Sequence, residues 1–263
     1  MIRRDCLAED GSRRWVLISQ VAHAHLAGCI SEHWGAAPYA PLVEPADELV
    51  KAVYHHDDGW HQWEREPSPD PVTGRPPDFM VMPLLESLAI WRRSIDTAGQ
   101  IGPLAGYAVS GHFSALLSRA VPAHESDDTW MRPATDFLDE QKQLRDRWLA
   151  RWLQADPLRR NHELADRAVA ILQFFDRLSL WLCCADRTET ATFHVPGQLP
   201  LTCTPRGRRE IVMNPWPLRV PKLQLKLHGR SIAVAKYADS AALASAASTP
   251  VLLGWLLVPN ADL

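Results

Sequence analysis

The chain has 263 residues, of which 46% are hydrophobic, and a formal net charge of −3 at pH 7. This length is enough for a sizeable core and lies near the upper limit of what one core usually serves, which favours one domain with an appendage over two independent domains. The weakly acidic balance provides no basic stripe that could follow a phosphate backbone. We therefore do not expect a nucleic acid partner.

Cysteine usage and hydropathy indicate the cellular compartment of the protein. The five cysteines are odd in number and form no Cys-x-x-Cys pair, which argues against a disulfide framework and against a structural zinc site. No stretch approaches the roughly 18 apolar residues that a membrane span needs. Residues 1–5 also lack the apolar run of a signal peptide. We expect a cytoplasmic protein without a membrane partner.

Apolar residues recur mainly at helical spacing from residue 20 to residue 184. After an expected short strand at 15–18, this spacing predicts six helices. Between the second and third of them, the proline-rich segment 60–83 is expected to form one long ordered loop. The predicted helices cover residues 21–34, 45–57, 84–98, 104–119, 135–154 and 162–184.

From residue 191 onward the apolar residues alternate in short runs broken by Pro and Gly, which is typical of strands. The sequence therefore predicts a mainly α protein with a β-rich C-terminal part (α+β), made of a helical core over 1–190 and a small antiparallel sheet over 191–263. This tail could cover a site or mediate formation of a homodimer. Strands are expected at 191–195, 209–213, 222–227, 231–236 and 251–258, and a linker or short helix at 241–248.

Several polar residues replace apolar ones on the inward faces of these helices. His56 and Asp57 lie three and four residues after Val53, the last residue of an apolar stripe. His23 shares a face with leucine, alanine and isoleucine residues, and His112 lies between apolar residues at the same spacings. Asp176 falls within the densely apolar run 168–184. Five titratable groups on four helices are thus predicted to face one interior.

Burying an unpaired carboxylate costs several kcal/mol, unless protonation, an ion pair or a metal ion offsets the cost. No lysine or arginine is evident on the same helix faces. Any one of these residues alone is better explained as a hydrogen-bonded core residue or a cap. Taken together, two aspartates and three histidines favour a metal site.

The order of these residues resembles the HD superfamily of helical metal-dependent phosphohydrolases. The resemblance rests on His23, the doublet His56-Asp57 and the distant Asp176 in Phe-Asp-Arg-Leu-Ser. Over nearly the whole chain, the sequence also resembles an uncharacterised bacterial domain-of-unknown-function family with an HD-like core. The segments that carry this second resemblance are 20–34, 56–60, 91–95, 109–112, 176–179 and 214–217.

The resemblance implies that His23, His56, Asp57 and Asp176 bind one divalent metal ion. Two imidazoles and two carboxylates suit Mn²⁺, Fe²⁺, Ni²⁺, Co²⁺ or Mg²⁺ better than a closed structural Zn²⁺ site. His112 is expected either to bind a metal or to contact the ligands. Its position corresponds to that of additional histidines in some superfamily members, which use them for a second metal or for the phosphate of a substrate.

Three functions remain open from the sequence. The first is a metal-dependent hydrolase, acting on a phosphoester or another anionic small molecule through a metal-activated water, with Asp57, Asp58 and His112 as the expected catalytic residues. Asp58 could instead cap its helix. The second is an iron-dependent oxygenase on the same core. The third is a ligand-binding or scaffold protein without activity.

Overall fold

The structure is a computed structural model that describes residues 1–8, 10–185, 188–207 and 209–260. Within these residues the chain forms eight α-helices and one sheet of seven strands. The helices are α1 (Gln20–Glu32), α2 (Ala46–His55), α3 (Trp60–Arg65), α4 (Leu84–Ile101), α5 (Pro103–Ala120), α6 (Asp128–Ala155), α7 (His162–Cys184) and α8 (Ser240–Ala244). The strands are β1 (Ile2–Leu7), β2 (Arg13–Ile18), β3 (Ala191–Phe193), β4 (Leu201–Arg206), β5 (Glu210–Asn214), β6 (Leu223–Ala233) and β7 (Ser248–Pro259).

Polar side chains fix where several helices begin. The Asn161 side chain accepts a hydrogen bond from the backbone N–H of Leu164 at the start of α7. Helix α6 begins at Asp128, earlier than predicted, because the Asp127 carboxylate accepts bonds from the backbone N–H groups of Thr129 and Trp130. The expectation of one loop over 60–83 was also wrong, since its first six residues form α3.

The predicted α+β class is confirmed, but the small antiparallel sheet was wrong. The sheet has seven strands in the order β1-β2-β6-β7-β5-β4-β3, and it is mixed because β5 and β7 run parallel. The N-terminal strands β1 and β2 join the C-terminal strands through the pairing of β2 with β6. Such pairing brings together residues more than 200 positions apart, which local alternation cannot reveal.

Strand β6 runs through Gly229, which lies between the strands predicted at 222–227 and 231–236. Gly229 continues the pairing instead, opposite Ile18 on one side and Val251 on the other. A Cβ atom at this position would lie 2.9 Å from a methyl group of Val16. The glycine is therefore explained by the close approach of β2 rather than by a turn.

One hydrophobic core connects the sheet to the helices. It contains Ile18 of β2 and Leu225 of β6 together with Leu26, Val109 and Phe175 of the helices. Helices α1, α2, α5 and α7 pack against one another at its centre, and α1 also contacts β6. The sheet thus supports the helices that carry the polar inward-facing residues. Among the described residues, none of the helices combines the length and the apolar character that crossing a membrane requires.

Glu48 of α2 connects two of these central helices. Its Oε1 atom accepts hydrogen bonds from the backbone N–H groups of Leu104, at 2.6 Å, and Ala105, at 3.0 Å, in the first turn of α5. These N–H groups have no partner within their own helix. Glu48 therefore caps α5 from a neighbouring helix.

We expect Glu48→Ala to lower the free energy of unfolding by about 1–2 kcal/mol, because two backbone donors lose their acceptor. Urea denaturation followed by circular dichroism measures the change. Asp47→Ala is the matched control, since the Asp47 side chain is 77% exposed and contacts only Lys51 in the described salt bridges. An equal loss in both variants would contradict the capping role.

Candidate functional site

Four helices bring the inward-facing polar residues together. Helix α1 carries His23, the turn directly after α2 carries His56 and Asp57, α5 carries His112, and α7 carries Asp176. All five side chains are buried, as the helical phase predicts. The turn after α2 directs both members of the doublet into the same interior.

Ligand-like atoms of four of these residues lie within a short distance of one another. His23 Nε2 is 3.2 Å from Asp57 Oδ2 and 3.5 Å from Asp176 Oδ1. His56 Nε2 is 3.7 Å from Asp57 Oδ2 and 3.5 Å from Asp176 Oδ1. Ligand atoms about 2.1 Å from one octahedral ion are roughly 3 Å apart in adjacent positions and roughly 4 Å apart in opposite ones. The four separations fall within this range. We call these four residues the central cluster.

The hydrogen bonds of His56 decide which of its nitrogens faces the central cluster. His56 Nδ1 is 2.8 Å from the carbonyl oxygen of Val53, which can only accept, so Nδ1 carries a hydrogen and donates it. In a neutral imidazole the other nitrogen then has a lone pair. That atom, Nε2, is buried and has no hydrogen-bond partner among the described residues. It faces the two carboxylates of the cluster.

A lone pair directed at carboxylate oxygens is unfavourable unless a cation lies between them. The pKa values of these groups are shifted by the same charges. Burial lowers the pKa of His56, but the carboxylates of Asp57 and Asp176 outweigh this effect and raise the pKa to about 9. Burial raises the pKa of both carboxyl groups, yet the neighbouring histidines lower it below the usual range. The central cluster thus favours a cation, either a proton or a metal ion.

His112 lies beside the central cluster. Its ring centroid is 5.6 Å from that of His56, and ligand atoms of His56, His112 and Asp176 all lie within 4.8 Å of one another. Burial lowers the pKa of His112 to about 4, with the Asp176 carboxylate opposing this shift. His112 is therefore neutral at neutral pH and able to act as a ligand or as a hydrogen-bonding group.

Asp58 has different partners from Asp57. Its Oδ2 atom lies 2.8 Å from His55 Nδ1, and its Oδ1 atom lies 4.0 Å from His61 Nε2. The His55 side chain is 40% exposed. Among the described salt bridges, those of Asp58 are with these two outer histidines rather than with the central cluster. Asp58 and His55 form a pair that connects the doublet to the surface.

Sequence reasoning did not identify the partners that orient the histidines. These are the Val53 carbonyl for His56 and the Ser179 hydroxyl, whose Oγ is 2.8 Å from His23 Nδ1. The Val53 carbonyl could not be found from the sequence, because every residue has a backbone carbonyl. Ser179 gave a weak signal, because a serine three residues after Asp176 falls on the same buried helix face.

Fold and site together define an α+β protein with a buried histidine and aspartate cluster at the junction of four helices. The family described as Protein of unknown function (DUF3891) matches residues 6–233, and the chain belongs to this family. Comparison with curated proteins and with solved structures gave no match.

Gly59 fixes the doublet against α4. Its backbone N–H donates to Ser94 Oγ at 2.9 Å, and a Cβ atom at this position would overlap the carbonyl oxygen of Ile90 and lie 2.7 Å from the Ser94 nitrogen. Its φ of −60° is available to any residue, so only the close approach to α4 requires glycine.

We expect Gly59→Ala to lower the free energy of unfolding by about 1–3 kcal/mol, because the segment after Asp57 must move away from α4. Thermal and urea denaturation measure this loss. Gly254→Ala is the control, since its Cβ atom would make an ordinary contact of 3.4 Å with the Leu225 carbonyl oxygen. Wild-type stability of Gly59→Ala would disprove the steric argument.

Proposed function

We propose that the protein is a metal-dependent hydrolase that acts on a phosphoester or another anionic small molecule. The observation that carries this proposal is the buried, unpartnered Nε2 atom of His56, which faces the carboxylates of Asp57 and Asp176 at 3.7 and 3.5 Å. A single metal ion would both accept the nitrogen lone pair and offset the negative charge of the carboxylates. The resemblance of the residue order to the HD superfamily supports the same function.

The residues fit a divalent ion by their chemistry. His23, His56, Asp57 and Asp176 would hold it, and His112 would serve as a further ligand or contact the bound substrate. Two nitrogens and two oxygens suit Mn²⁺, Fe²⁺, Co²⁺, Ni²⁺ or Mg²⁺ and leave positions for water and substrate. When bound, such an ion lowers the pKa of a coordinated water and polarises a phosphoryl or carbonyl oxygen.

The protein side chains contribute orientation and proton transfer. The Val53 carbonyl holds the His56 ring so that Nε2 points inward. Asp57 has a second carboxylate oxygen with which it can orient the attacking water. His112, neutral because burial lowers its pKa to about 4, can donate or accept a hydrogen bond at the substrate. Asp58, which pairs with the partly exposed His55 outside the central cluster, can exchange a proton with solvent.

Metal content tests the proposal directly. Protein purified without an affinity tag, then loaded with Mn²⁺ and desalted, should retain metal, and His56→Ala should retain at least about tenfold less because a ligand is lost. Elemental analysis by inductively coupled plasma mass spectrometry measures this content. His55→Ala is the matched control, since this neighbouring histidine lies outside the central cluster. No retained metal in the wild type, or equal retention in both variants, would refute the metal site.

Activity assays separate the hydrolase from the two alternatives. A hydrolase releases phosphate or phenolate from generic phosphoesters in a metal-dependent way, and Asp57→Asn reduces this release. An oxygenase instead consumes oxygen when loaded with Fe²⁺ under reducing conditions. In a protein without activity, Asp57→Asn leaves both the metal content and the phosphatase signal at background.

A further inference from the structure

Ser179 contacts two members of the central cluster that belong to different helices. It is fully buried on α7, one turn after Asp176. Its Oγ atom is 2.8 Å from His23 Nδ1 on α1 and 2.9 Å from the backbone carbonyl oxygen of Asp176. One hydroxyl group therefore contacts a candidate ligand on one helix and the backbone of a candidate ligand on another.

The hydrogens of this contact follow from the chemistry of its members. A serine hydroxyl has one proton to donate and two lone pairs with which to accept. The Asp176 carbonyl oxygen can only accept, so the hydroxyl proton goes to it. His23 Nδ1 must then carry a hydrogen and donate it to Ser179 Oγ. The nitrogen left to face Asp57 and Asp176 is Nε2, and its contact of 3.2 Å with Asp57 Oδ2 requires a proton or a metal ion at this nitrogen.

We propose that Ser179 is a positioning residue of the metal site, whose hydroxyl holds the His23 ring with Nδ1–H directed outward and Nε2 directed at the central cluster. This inference rests on the proposed function, because it concerns the affinity of that site for metal. The backbone carbonyl of Val53 has the same role for His56. Of these two Nδ1 partners, that of His23 belongs to a side chain, so it can be removed by substitution.

The loss of Ser179 would affect metal binding through His23. Without the hydroxyl, the buried Nδ1–H would have no acceptor, or the ring would rotate and move Nε2 away from the carboxylates. Outer partners of metal-binding histidines typically contribute about 10- to 100-fold to metal affinity. We expect a loss of this size in Ser179→Ala.

Ser31 is a matched control for this substitution. Like Ser179 it is fully buried, and its hydroxyl donates to the backbone carbonyl three residues earlier, that of Gly28, at 2.8 Å. It belongs to α1, the helix that carries His23. Ser31→Ala therefore removes the same kind of local hydrogen bond without touching a candidate ligand.

The test measures Co²⁺ affinity of the full chain by competition with a chromophoric chelator, after removal of metal. We expect Ser179→Ala to bind Co²⁺ about 10- to 100-fold more weakly than wild type, and Ser31→Ala to remain within about twofold. The visible absorption bands of the Co²⁺ protein should also change in Ser179→Ala alone, since they report the ligands around the ion. Equal affinities in all three proteins, or equal losses in both variants, would overturn the role of Ser179.

A second measurement keeps this inference separate from the proposed function. Long-range ¹H–¹⁵N spectra of the His23 ring show whether Nδ1 carries a hydrogen, with or without added metal. A protonated Nδ1 in wild type that changes its signal in Ser179→Ala supports the assignment, and a bare Nδ1 in wild type overturns it. If wild type binds no Co²⁺, the proposed function fails, while these spectra still decide the orientation of His23.

Discussion

The structure depends on one buried electrostatic constraint. Two aspartates enter the space between four helices, where an unpaired carboxylate costs several kcal/mol. The histidines compensate for this cost when a proton or a metal ion lies among the four side chains, because the His56 nitrogen that faces the carboxylates is a lone pair in the neutral ring. The close helix contacts and the orienting hydrogen bonds keep these side chains in place.

The helices hold the site in different ways. His23 lies near the start of α1 and Asp176 in the second half of α7, so their relative positions follow from the packing of α1 against α7. His56 and Asp57 follow the last turn of α2, where the chain is less constrained by helical hydrogen bonds. The hydrogen bond from the Gly59 N–H to Ser94 Oγ of α4 holds this segment in place instead. Rigid elements and a tightly packed turn thus place the Nε2 atoms of both histidines 3.2–3.7 Å from the two carboxylates.

The mixed sheet supports this arrangement from the side of α1. Strand β2 leads directly into α1, and its pairing with β6 connects that helix to the C-terminal strands. Ile18 at the end of β2 belongs to the same core as Phe175, the residue before Asp176. The placement of His23 relative to Asp176 therefore depends on contacts between the first and last parts of the chain.

Which residues face inward could be predicted from the sequence, because helical phase is a local property: His23, His56, Asp57, His112 and Asp176 each replace an apolar residue at helical spacing. The sequence by itself also determined most helix bounds and the α+β class. Only the tertiary structure decided that the sheet is mixed and that it includes β1 and β2, because strand pairing joins distant residues. The tertiary structure also decided that Ser179 contacts His23, since a hydrogen bond between α7 and α1 depends on how the two helices pack.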